Sequence, residues 1–341
     1  MKILIATDAW RPQVNGVVRS LEQTASAAAA LGVTFDILSP AGYATVPLPS
    51  YPEIQLALAT PSSIERRIRE AAPDFIHIAT EGPIGFLTRR ACLKRGRPFT
   101  TSYHTKFPEY IAARAPIPQD FIYRCLRRFH NAGSGTMVST PAMERELAAR
   151  GFRRLLRWSR GVDHELFRPR AETMFDLPRP IFLSVGRVAV EKNIEAFLAL
   201  DLPGSKVVVG AGPALAAMRA RFPQVHFAGM LHGEALARAY ASADVFVFPS
   251  LTDTFGIVLL EALASGLPVA AFPVTGPLDV IGGTSAGVLD EDLRRAALAC
   301  LDIPREAARA EALKYSWEAS ARQFIANVRS ACGGSLQDEA A

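Results

Sequence analysis

Short apolar runs of strand length alternate with amphipathic stretches of helical length along most of the chain. In the first half these runs are KILIAT, TFDILSP, FIHIAT, FTTSYH and GTMVST, and stretches of helical pattern lie between them. Continuous apolar runs are typical of strands buried on both faces, and the helical stretches between them predict crossover connections. The pattern therefore predicts an α/β fold built on a doubly wound parallel sheet.

The alternation begins a second time after a proline-containing linker at about residues 169–180. IFLSVGR follows this linker, and KVVVG, VHFAG, DVFVFPS, VAAF and GVLD come after it. We therefore predict an N-terminal Rossmann-like domain over residues 1–168 and a C-terminal Rossmann-like domain over residues 169–314. Residues 333–341 are mostly small or polar, and we expect a flexible tail there.

The composition agrees with two globular domains. The chain has 341 residues, of which 49% are hydrophobic, so it can bury sizeable cores. It contains no apolar run of about 18 residues, and the apolar part of its opening, MKILIATD, is too short for a signal peptide. The four cysteines are scattered and fit free thiols of a reducing compartment. We expect a cytoplasmic protein.

The charge is distributed unevenly. The first 170 residues carry 24 Lys and Arg against 14 Asp and Glu, a balance of +10, and the remainder has a balance of −5. A basic half indicates an anionic partner, which can be a membrane surface, a nucleic acid or an acidic substrate. The alternative is that each basic cluster is a solvated helix face. Because no RNA or DNA motif is present, we expect no nucleic-acid partner.

Candidate chemistry is densest in residues 249–268, PSLTDTFGIVLLEALASGLP. A strand leads into a turn that contains Asp253, and a helix follows that contains Glu261, eight residues later. The amides of Phe255 and Gly256 are expected at the helix N-terminus, where a phosphate is stabilised. An anion cradle flanked by two carboxylates fits a nucleotide diphosphate sugar. The alternative is a capped helix with one buried Glu.

Five further candidates follow predicted strand ends, where parallel sheets bind ligands. Gly16 opens the first helix and lets a ligand approach the backbone closely. Glu81 and His104 each come after a strand, although a single His is more often an internally bonded polar residue. Arg187 ends a strand and Lys192 begins the next helix, and two such cations suit a diphosphate. The alternative for this pair is an ordinary surface position.

Two other segments resemble a dinucleotide-binding motif and a metal-binding motif, but we expect neither a cofactor nor a metal. The turn GAGPAL has Leu215 where a dinucleotide fingerprint needs its third glycine. The sequence Asp290-Glu291-Asp292 matches a D-x-D metal motif, but it opens a late helix, where acidic residues favour the positive end of the helix dipole.

Together these segments resemble the retaining glycosyltransferases of family 4, which have the GT-B fold, and the resemblance covers nearly the whole chain. Residues 249–268 are similar to the family's E-x(7)-E signature, with Asp253 in place of the first Glu. The motif GR-x(4)-K, which ends at Lys192, is similar to a second family segment. The stretch SYHTKFPEY around His104 is similar to a third, in which the family has two consecutive His and this chain has Tyr103 in place of the first. WSRGVD, Trp158–Asp163, resembles the branch that contains sulfoquinovosyl-diacylglycerol synthases and some α-mannosyltransferases.

The resemblance implies two Rossmann-like domains that face a cleft, with a helix at about residues 315–331 crossing back onto the first domain. It implies that Arg187 and Lys192 bind the donor diphosphate and that Gly16 lies between this phosphate and the acceptor. His104 would border the donor sugar. The implied reaction is metal-independent and retains the anomeric configuration.

The two carboxylates have implied roles as well. The resemblance implies that Asp253 binds the 3- or 4-hydroxyl of the donor sugar and that Glu261 binds the ribose hydroxyls. It implies a structural role for Asp163 at the hinge between the domains.

The expected function is transfer of a hexose from UDP-glucose or UDP-glucuronate to a membrane lipid such as diacylglycerol, which forms a glycolipid. Basic residues at 66–69, 89–97 and 124–128, with aromatic and apolar residues between 107 and 123, suit peripheral docking on the anionic inner face of the cell membrane. The near alternative is a GDP-mannose-dependent α-mannosyltransferase that acts on a glycan or a phosphatidylinositol-type acceptor. The sequence is also compatible with a nucleotide-sugar epimerase, a nucleic-acid-binding protein or a catalytically inactive binding module.

Overall fold

The computed structural model describes residues 1–13, 15–48, 51–112, 117–171 and 173–333. The chain divides into two compact units: Met1–Arg160 together with the chain from Trp317 onward, and Gly161–Ser316. The predicted flexible tail lies outside the described residues, apart from Gly333. The sequence assigned residues 161–168 to the first domain, but Val162 and Phe167 are buried in the core of the second unit.

A six-stranded parallel sheet forms the centre of the first unit, with the strand order β2-β1-β5-β6-β7-β8. Strands β3 and β4 form a separate antiparallel hairpin. The strands are β1 (Lys2–Ala6), β2 (Thr34–Leu38), β3 (Thr45–Leu48), β4 (Tyr51–Ala57), β5 (Phe75–Ile78), β6 (Thr100–Ser102), β7 (Gly135–Val138) and β8 (Leu155–Arg157).

Local signals explain where the helices of this unit begin. Thr60 and Thr140 cap two of them, and both are followed by proline at the first helical position, where its missing N–H is not needed. The helices are α1 (Gly16–Ala30), α2 (Pro61–Ala71), α3 (Pro83–Lys94), α4 (Phe107–Ala112), α5 (Gln119–His130) and α6 (Pro141–Ala149).

The second unit contains a parallel sheet with the order β11-β10-β9-β12-β13-β14. All four residues of the strand VFVF are buried, as expected for a strand covered by helices on both faces. The strands are β9 (Ile181–Val185), β10 (Ser205–Val209), β11 (His226–Gly229), β12 (Val245–Phe248), β13 (Val269–Ala271) and β14 (Gly287–Leu289).

Seven helices and two 3-10 turns are described in the second unit. The 3-10 turns are Val190–Lys192 and Cys300–Asp302. The helices are α7 (Ile194–Leu198), α8 (Leu215–Arg221), α9 (Gly233–Ala241), α10 (Ile257–Ala264), α11 (Pro277–Val280), α12 (Leu293–Ala299) and α13 (Arg305–Ala312).

The glycine turn that follows β10 serves close backbone packing. A Cβ atom at Gly210 would lie 1.9 Å from the carbonyl oxygen of Gly186, and one at Gly212 would lie 2.4 Å from that of Val188. These two glycines therefore bring the loops after β9 and β10 into contact.

The last described helix, α14 (Trp317–Ala331), belongs to the first unit. It buries Phe324 against Phe35, His77 and Trp158. The indole N–H of Trp158 donates to the hydroxyl of Ser320 at 3.1 Å. Helix α14 thereby completes the hydrophobic core on one face of the first sheet. Within the described ranges, no helix is both long and apolar enough to cross a membrane.

Candidate functional site

The strand order of the second sheet identifies a ligand-binding edge. Strands β9 and β12 are neighbours, but the chain leaves β9 toward β10 on one side and leaves β12 toward β13 on the other. Open α/β sheets bind ligands outside the carboxyl ends of the strands at such a switch point. Arg187 and Lys192 follow β9, and Asp253 follows β12, so all three predicted residues lie in loops at this edge.

The structure joins the two loops through an ion pair. The ammonium of Lys192 donates to Oδ1 of Asp253 at 2.5 Å, and the two side chains are 27% and 17% exposed. Asn193 supports this contact because its side-chain amide donates to the carbonyl of Pro249 at 3.1 Å. The hydroxyl of Thr252 donates to the carbonyl of Glu191 at 3.2 Å. The two loops are therefore fixed to each other on both sides of the ion pair.

Asp253 keeps a second acceptor for a ligand. Its Oδ2 atom is buried and accepts no hydrogen bond from any described residue. A buried carboxylate oxygen without a donor is uncommon in proteins, because leaving such a group unsatisfied costs about 1–3 kcal/mol. The arrangement suits a hydroxyl that donates to Oδ2 while Lys192 holds Oδ1.

Helix α10 begins directly after this carboxylate. Its N-cap, Gly256, is left-handed with φ 83° and offers no side-chain acceptor to the amides of the first turn. Phe255 is 5% exposed and packs edge-to-face on Tyr315. The helix N-terminus predicted from the sequence is therefore present, with Phe255 anchoring the turn in the core.

Glu261 and Arg187 differ in their surroundings. Glu261 is only 2% exposed, and the hydroxyl of Tyr240 donates to its Oε2 at 3.0 Å. The binding of ribose hydroxyls by Glu261 stays a prediction. Arg187 is half-buried, two residues beyond the end of β9.

The first sheet also has a switch point, between β1 and β5. Gly16 opens α1 after the loop from β1, and the side chain of Asn15 accepts from the amides of Val17 and Val18 at 3.0 Å each. A Cβ atom at Gly16 would meet nothing within 4 Å. This backbone position is therefore accessible from outside the fold of its own unit.

Glu81, which follows β5, has a partner in the interior. Its Oε1 lies 2.9 Å from Nε2 of His130, and its side chain is 7% exposed. The other ring nitrogen of His130 is 2.8 Å from the hydroxyl of Thr101. This carboxylate belongs to a buried network of the first unit, and substrate binding by Glu81 stays a prediction.

His104, which follows β6, contacts a residue that the sequence analysis did not single out. Its Nδ1 lies 3.2 Å from Nη2 of Arg160, and its ring packs edge-to-face on Trp158. Burial of the ring, together with the nearby charge of Arg160, holds the pKa of His104 well below its usual range. His104 is therefore a neutral imidazole.

Arg160 is 5% exposed and stacks over the Trp158 ring, with 4.1 Å between its guanidinium carbon and the ring centre. Burial lowers its pKa to about 9. The only signal in the sequence was a basic residue between Trp158 and Gly161, in the segment in which Asp163 was predicted to be structural. In that segment Asp163 caps the following turn by accepting from the amides of Glu165 and Leu166.

The D-x-D residues have local structural partners. Asp290 pairs with Arg295, and Asp292 caps α12 by accepting from the amides of Arg294 and Arg295. Among the described residues, no group of three or more His, Cys, Asp or Glu side chains is arranged to hold a metal ion.

Comparisons with known proteins agree with the geometry of the two units. The family model described as Glycosyltransferase Family 4 matches residues 14–166, and the one described as Glycosyl transferases group 1 matches residues 179–303. The chain is 32% identical over 316 residues to the sulfoquinovosyl transferase SQD2 of Arabidopsis thaliana. This alignment covers 82% of this chain and 61% of that protein. It is 30% identical over 315 residues to a GDP-mannose-dependent alpha-mannosyltransferase of Mycobacterium tuberculosis, which covers 85% of this chain and 83% of that protein.

Solved structures show the fold. A sucrose-phosphate synthase from Thermosynechococcus elongatus matches with a TM-score of 0.79 at 21% identity, over 98% of this chain and 99% of that one. Anabaena HepE in complex with UDP-glucose matches with a TM-score of 0.72 at 15% identity, and the match covers 97% of this chain and 100% of that one. The predicted GT-B fold is confirmed by these matches and by the two parallel sheets. The chain belongs to glycosyltransferase family 4, in the branch that its W-x-x-G-V-D segment predicted.

Proposed function

We propose that the chain transfers a hexose from a UDP-sugar, UDP-glucose or UDP-glucuronate, to a membrane lipid such as diacylglycerol. The observation that carries sugar transfer is the Lys192–Asp253 pair at the switch point of the second sheet, directly before helix α10. It combines a cation and helix amides for a diphosphate with an acceptor oxygen for a sugar hydroxyl. Nucleotide-sugar donors are supported by the family membership.

The proposed chemistry depends on stabilising charge. When the glycosidic bond to the diphosphate breaks, the leaving group gains negative charge and the anomeric carbon becomes oxocarbenium-like. Lys192, Arg187 and the amides at the start of α10 are fixed positive groups for that leaving diphosphate, and such preorganised groups are a large source of catalysis. Side chains and amides supply this charge, so we propose that no metal takes part.

Asp253 and His104 are proposed to orient the donor sugar. Lys192 holds one oxygen of Asp253, which leaves Oδ2 for the 3- or 4-hydroxyl of the sugar. Glu261 is proposed for the ribose hydroxyls and Gly16 for close approach of the phosphate. Glu81 is the weakest of these proposals, because its carboxylate already pairs with His130.

We propose retention through attack on the same face as the departing phosphate. The acceptor hydroxyl forms the new bond to the anomeric carbon as the carbon–oxygen bond to the diphosphate breaks. The leaving phosphate oxygen then takes the proton of the acceptor hydroxyl. No protein side chain becomes covalently attached.

The lipid acceptor is supported by the surface of the first unit. Helices α3 and α5 are held together because Arg89 donates to the backbone carbonyls of Arg128 and Phe129. They expose large apolar side chains beside many arginines: Phe86 is 51% exposed and Phe121 is 55% exposed. An apolar and basic surface of this kind suits peripheral binding to anionic lipid at the inner face of the cell membrane.

The second candidate is a GDP-mannose-dependent α-mannosyltransferase that acts on a glycan or a phosphatidylinositol-type acceptor. It is favoured by coverage: the chain spans 83% of the mycobacterial relative but only 61% of the plant one. The two candidates differ in the base and sugar of the donor and in the acceptor.

The test offers purified protein four donors, UDP-glucose, UDP-glucuronate, UDP-galactose and GDP-mannose, each with diacylglycerol vesicles and EDTA. We expect a glycolipid from a UDP-sugar, detected by mass spectrometry, and an α-linked product by NMR. Reactions without protein are the control, and the Lys192→Met variant, in which we expect a strongly reduced rate, is measured beside the wild type. Product from GDP-mannose alone would establish the second candidate, and no turnover of any donor with any vesicle would overturn the lipid acceptor.

A further inference from the structure

Arg160 is a buried cation without a carboxylate. Each of its hydrogen bonds ends on a neutral acceptor: the carbonyls of Trp158 and Ser159, at 2.7 and 3.1 Å, and Nδ1 of His104 at 3.2 Å. No ion pair joins it to any Asp or Glu that the structure describes. Buried charges are normally paired, because desolvation of an ion costs several kcal/mol. A fold that keeps such a cation beside a strand-end histidine indicates a function for the contact.

The contact has only one possible direction. A guanidinium carries donors and no acceptor, so Nδ1 of His104 accepts from Arg160. A neutral imidazole that accepts at Nδ1 carries its proton on Nε2. A second proton on Nδ1 would point at the guanidinium, and the two positive charges would repel each other.

We propose that Arg160 is a positioning residue that fixes His104 as the neutral, Nε2-protonated tautomer, so that His104 acts as a hydrogen-bond donor in the transfer reaction. The part of this proposal that concerns catalysis rests on the proposed function. A donor at Nε2 binds a sugar hydroxyl through the oxygen, and it cannot remove a proton from the acceptor hydroxyl. The proton therefore goes to the leaving phosphate, as the retaining mechanism requires.

Burial is the main cause that favours the neutral ring of His104, and the charge of Arg160, which follows β8, adds to it. His77 on β5 and His130 at the end of α5 would also oppose protonation of His104 if they carried charge. His77 is itself held neutral, because burial lowers its pKa to about 3. Trp158 closes one face of the ring with an edge-to-face contact. The tautomer is thus fixed by Arg160 and the charge state by the whole cluster.

The competing explanation is purely structural: Arg160 satisfies the two carbonyls and packs on Trp158, and its contact with His104 is incidental. Arg309 provides a matched control for that explanation. It also donates to backbone carbonyls, those of Phe167, Ala264 and His164, and none of these hydrogen bonds ends on a histidine ring.

The direct test uses the unchanged protein, labelled with 15N only in its six histidines. The His104 signals are assigned by their loss in His104→Asn. We expect the long-range 1H–15N pattern of an Nε2-protonated imidazole, unchanged between about pH 8 and pH 5.5, where an ordinary histidine with a pKa of about 6.5 titrates. A proton on Nδ1, or titration of His104 in this range, would overturn the proposal whatever the protein's activity.

The second test compares Arg160→Met, Arg160→Lys and Arg309→Met. We expect Arg160→Met to lower kcat about 10- to 100-fold, by analogy with the loss when the partner that orients a metal-bound histidine is removed. The 1H–15N pattern of its His104 should then show a proton on Nδ1 in part of the molecules, while UDP affinity stays unchanged. Lysine at position 160 can still donate, and it should restore the Nε2 tautomer and most of kcat. If Arg160→Met and Arg309→Met lose kcat equally and His104 keeps its Nε2 proton in both, the contact is structural only.

Discussion

At the scale of single residues, the ion pair between Lys192 and Asp253 gives the two carboxylate oxygens different tasks. Oδ1 is held by the ammonium, and Oδ2 is buried with no donor from the described residues. Loss of either partner should therefore affect activity more than folding, because both side chains keep some exposure.

Lys192→Met removes the cation proposed for the diphosphate. We expect kcat/KM to fall about 100- to 1000-fold, the loss seen when one preorganised donor is taken from a developing negative charge. Steady-state kinetics with the donor identified by the transfer assay measure this loss. Asp253→Asn keeps the size of the side chain and should weaken binding of the donor's sugar, while UDP alone still binds. Wild-type rates in Lys192→Met would contradict the proposal that Lys192 stabilises the leaving diphosphate.

The sequence predicted which segments meet at this site, because the strand pattern and the two motifs locate loops at the carboxyl edge of one sheet. It did not predict the buried pairs Glu81–His130, Glu261–Tyr240 and Arg160–His104. The members of each pair are far apart along the chain and share no periodic pattern. Only the packing of the side chains shows which distant groups meet.

At the scale of elements, most strands of the two main sheets were predicted, because most strands buried on both faces are apolar runs. The short edge strand β8 was not predicted, and neither was the hairpin of β3 and β4. It contains Pro47 and Pro52, and prolines normally argue against strands because they cannot donate to the ladder. Strands β3 and β4 pair with each other outside the main sheet, where a missing backbone N–H donor is tolerated.

Helix α5 allows a test of membrane docking. Arg124 and Arg128 are exposed on it, and each basic residue near an anionic surface contributes about 1 kcal/mol to binding. Reversing both charges with R124E/R128E should weaken sedimentation with phosphatidylserine vesicles at least about tenfold. The control R219E/R221E reverses two exposed arginines of α8 in the second unit.

Binding of the wild-type protein should also fall as salt is added, because surface charges are screened. Equal sedimentation of both double variants and the wild-type protein would show that α5 does not dock on lipid. Melting temperatures of the variants establish that each is folded.

At the scale of the whole molecule, buried neutral histidines make stability depend on pH. His77 lies in the core between Trp158 and Phe324, and burial lowers its pKa to about 3, against about 6.5 in an unfolded chain. The folded state then binds fewer protons than the unfolded state below pH 6.5. Stability is fully present above that pH and falls on acidification toward pH 3, by up to about 1.4 kcal/mol per pH unit.

Urea midpoints measured at several pH values check this expectation. We expect His77→Gln to show a shallower loss of stability between about pH 6.5 and pH 4 than the wild-type protein. His226→Gln changes an exposed histidine and should leave the slope as it is in the wild type. Identical slopes in all three proteins would contradict a buried neutral His77.

Helix α14 has a consequence for the order in which the molecule is made. The unit Gly161–Ser316 is continuous, so its core is complete once Ser316 has left the ribosome. Most of the first unit precedes it along the chain, but the core of the first unit still lacks Phe324 and Val328 at that moment. Domains usually complete from the N-terminus during synthesis. Here the unit whose strands come first along the chain is completed last, and until α14 has been synthesised it exposes the apolar face that this helix covers.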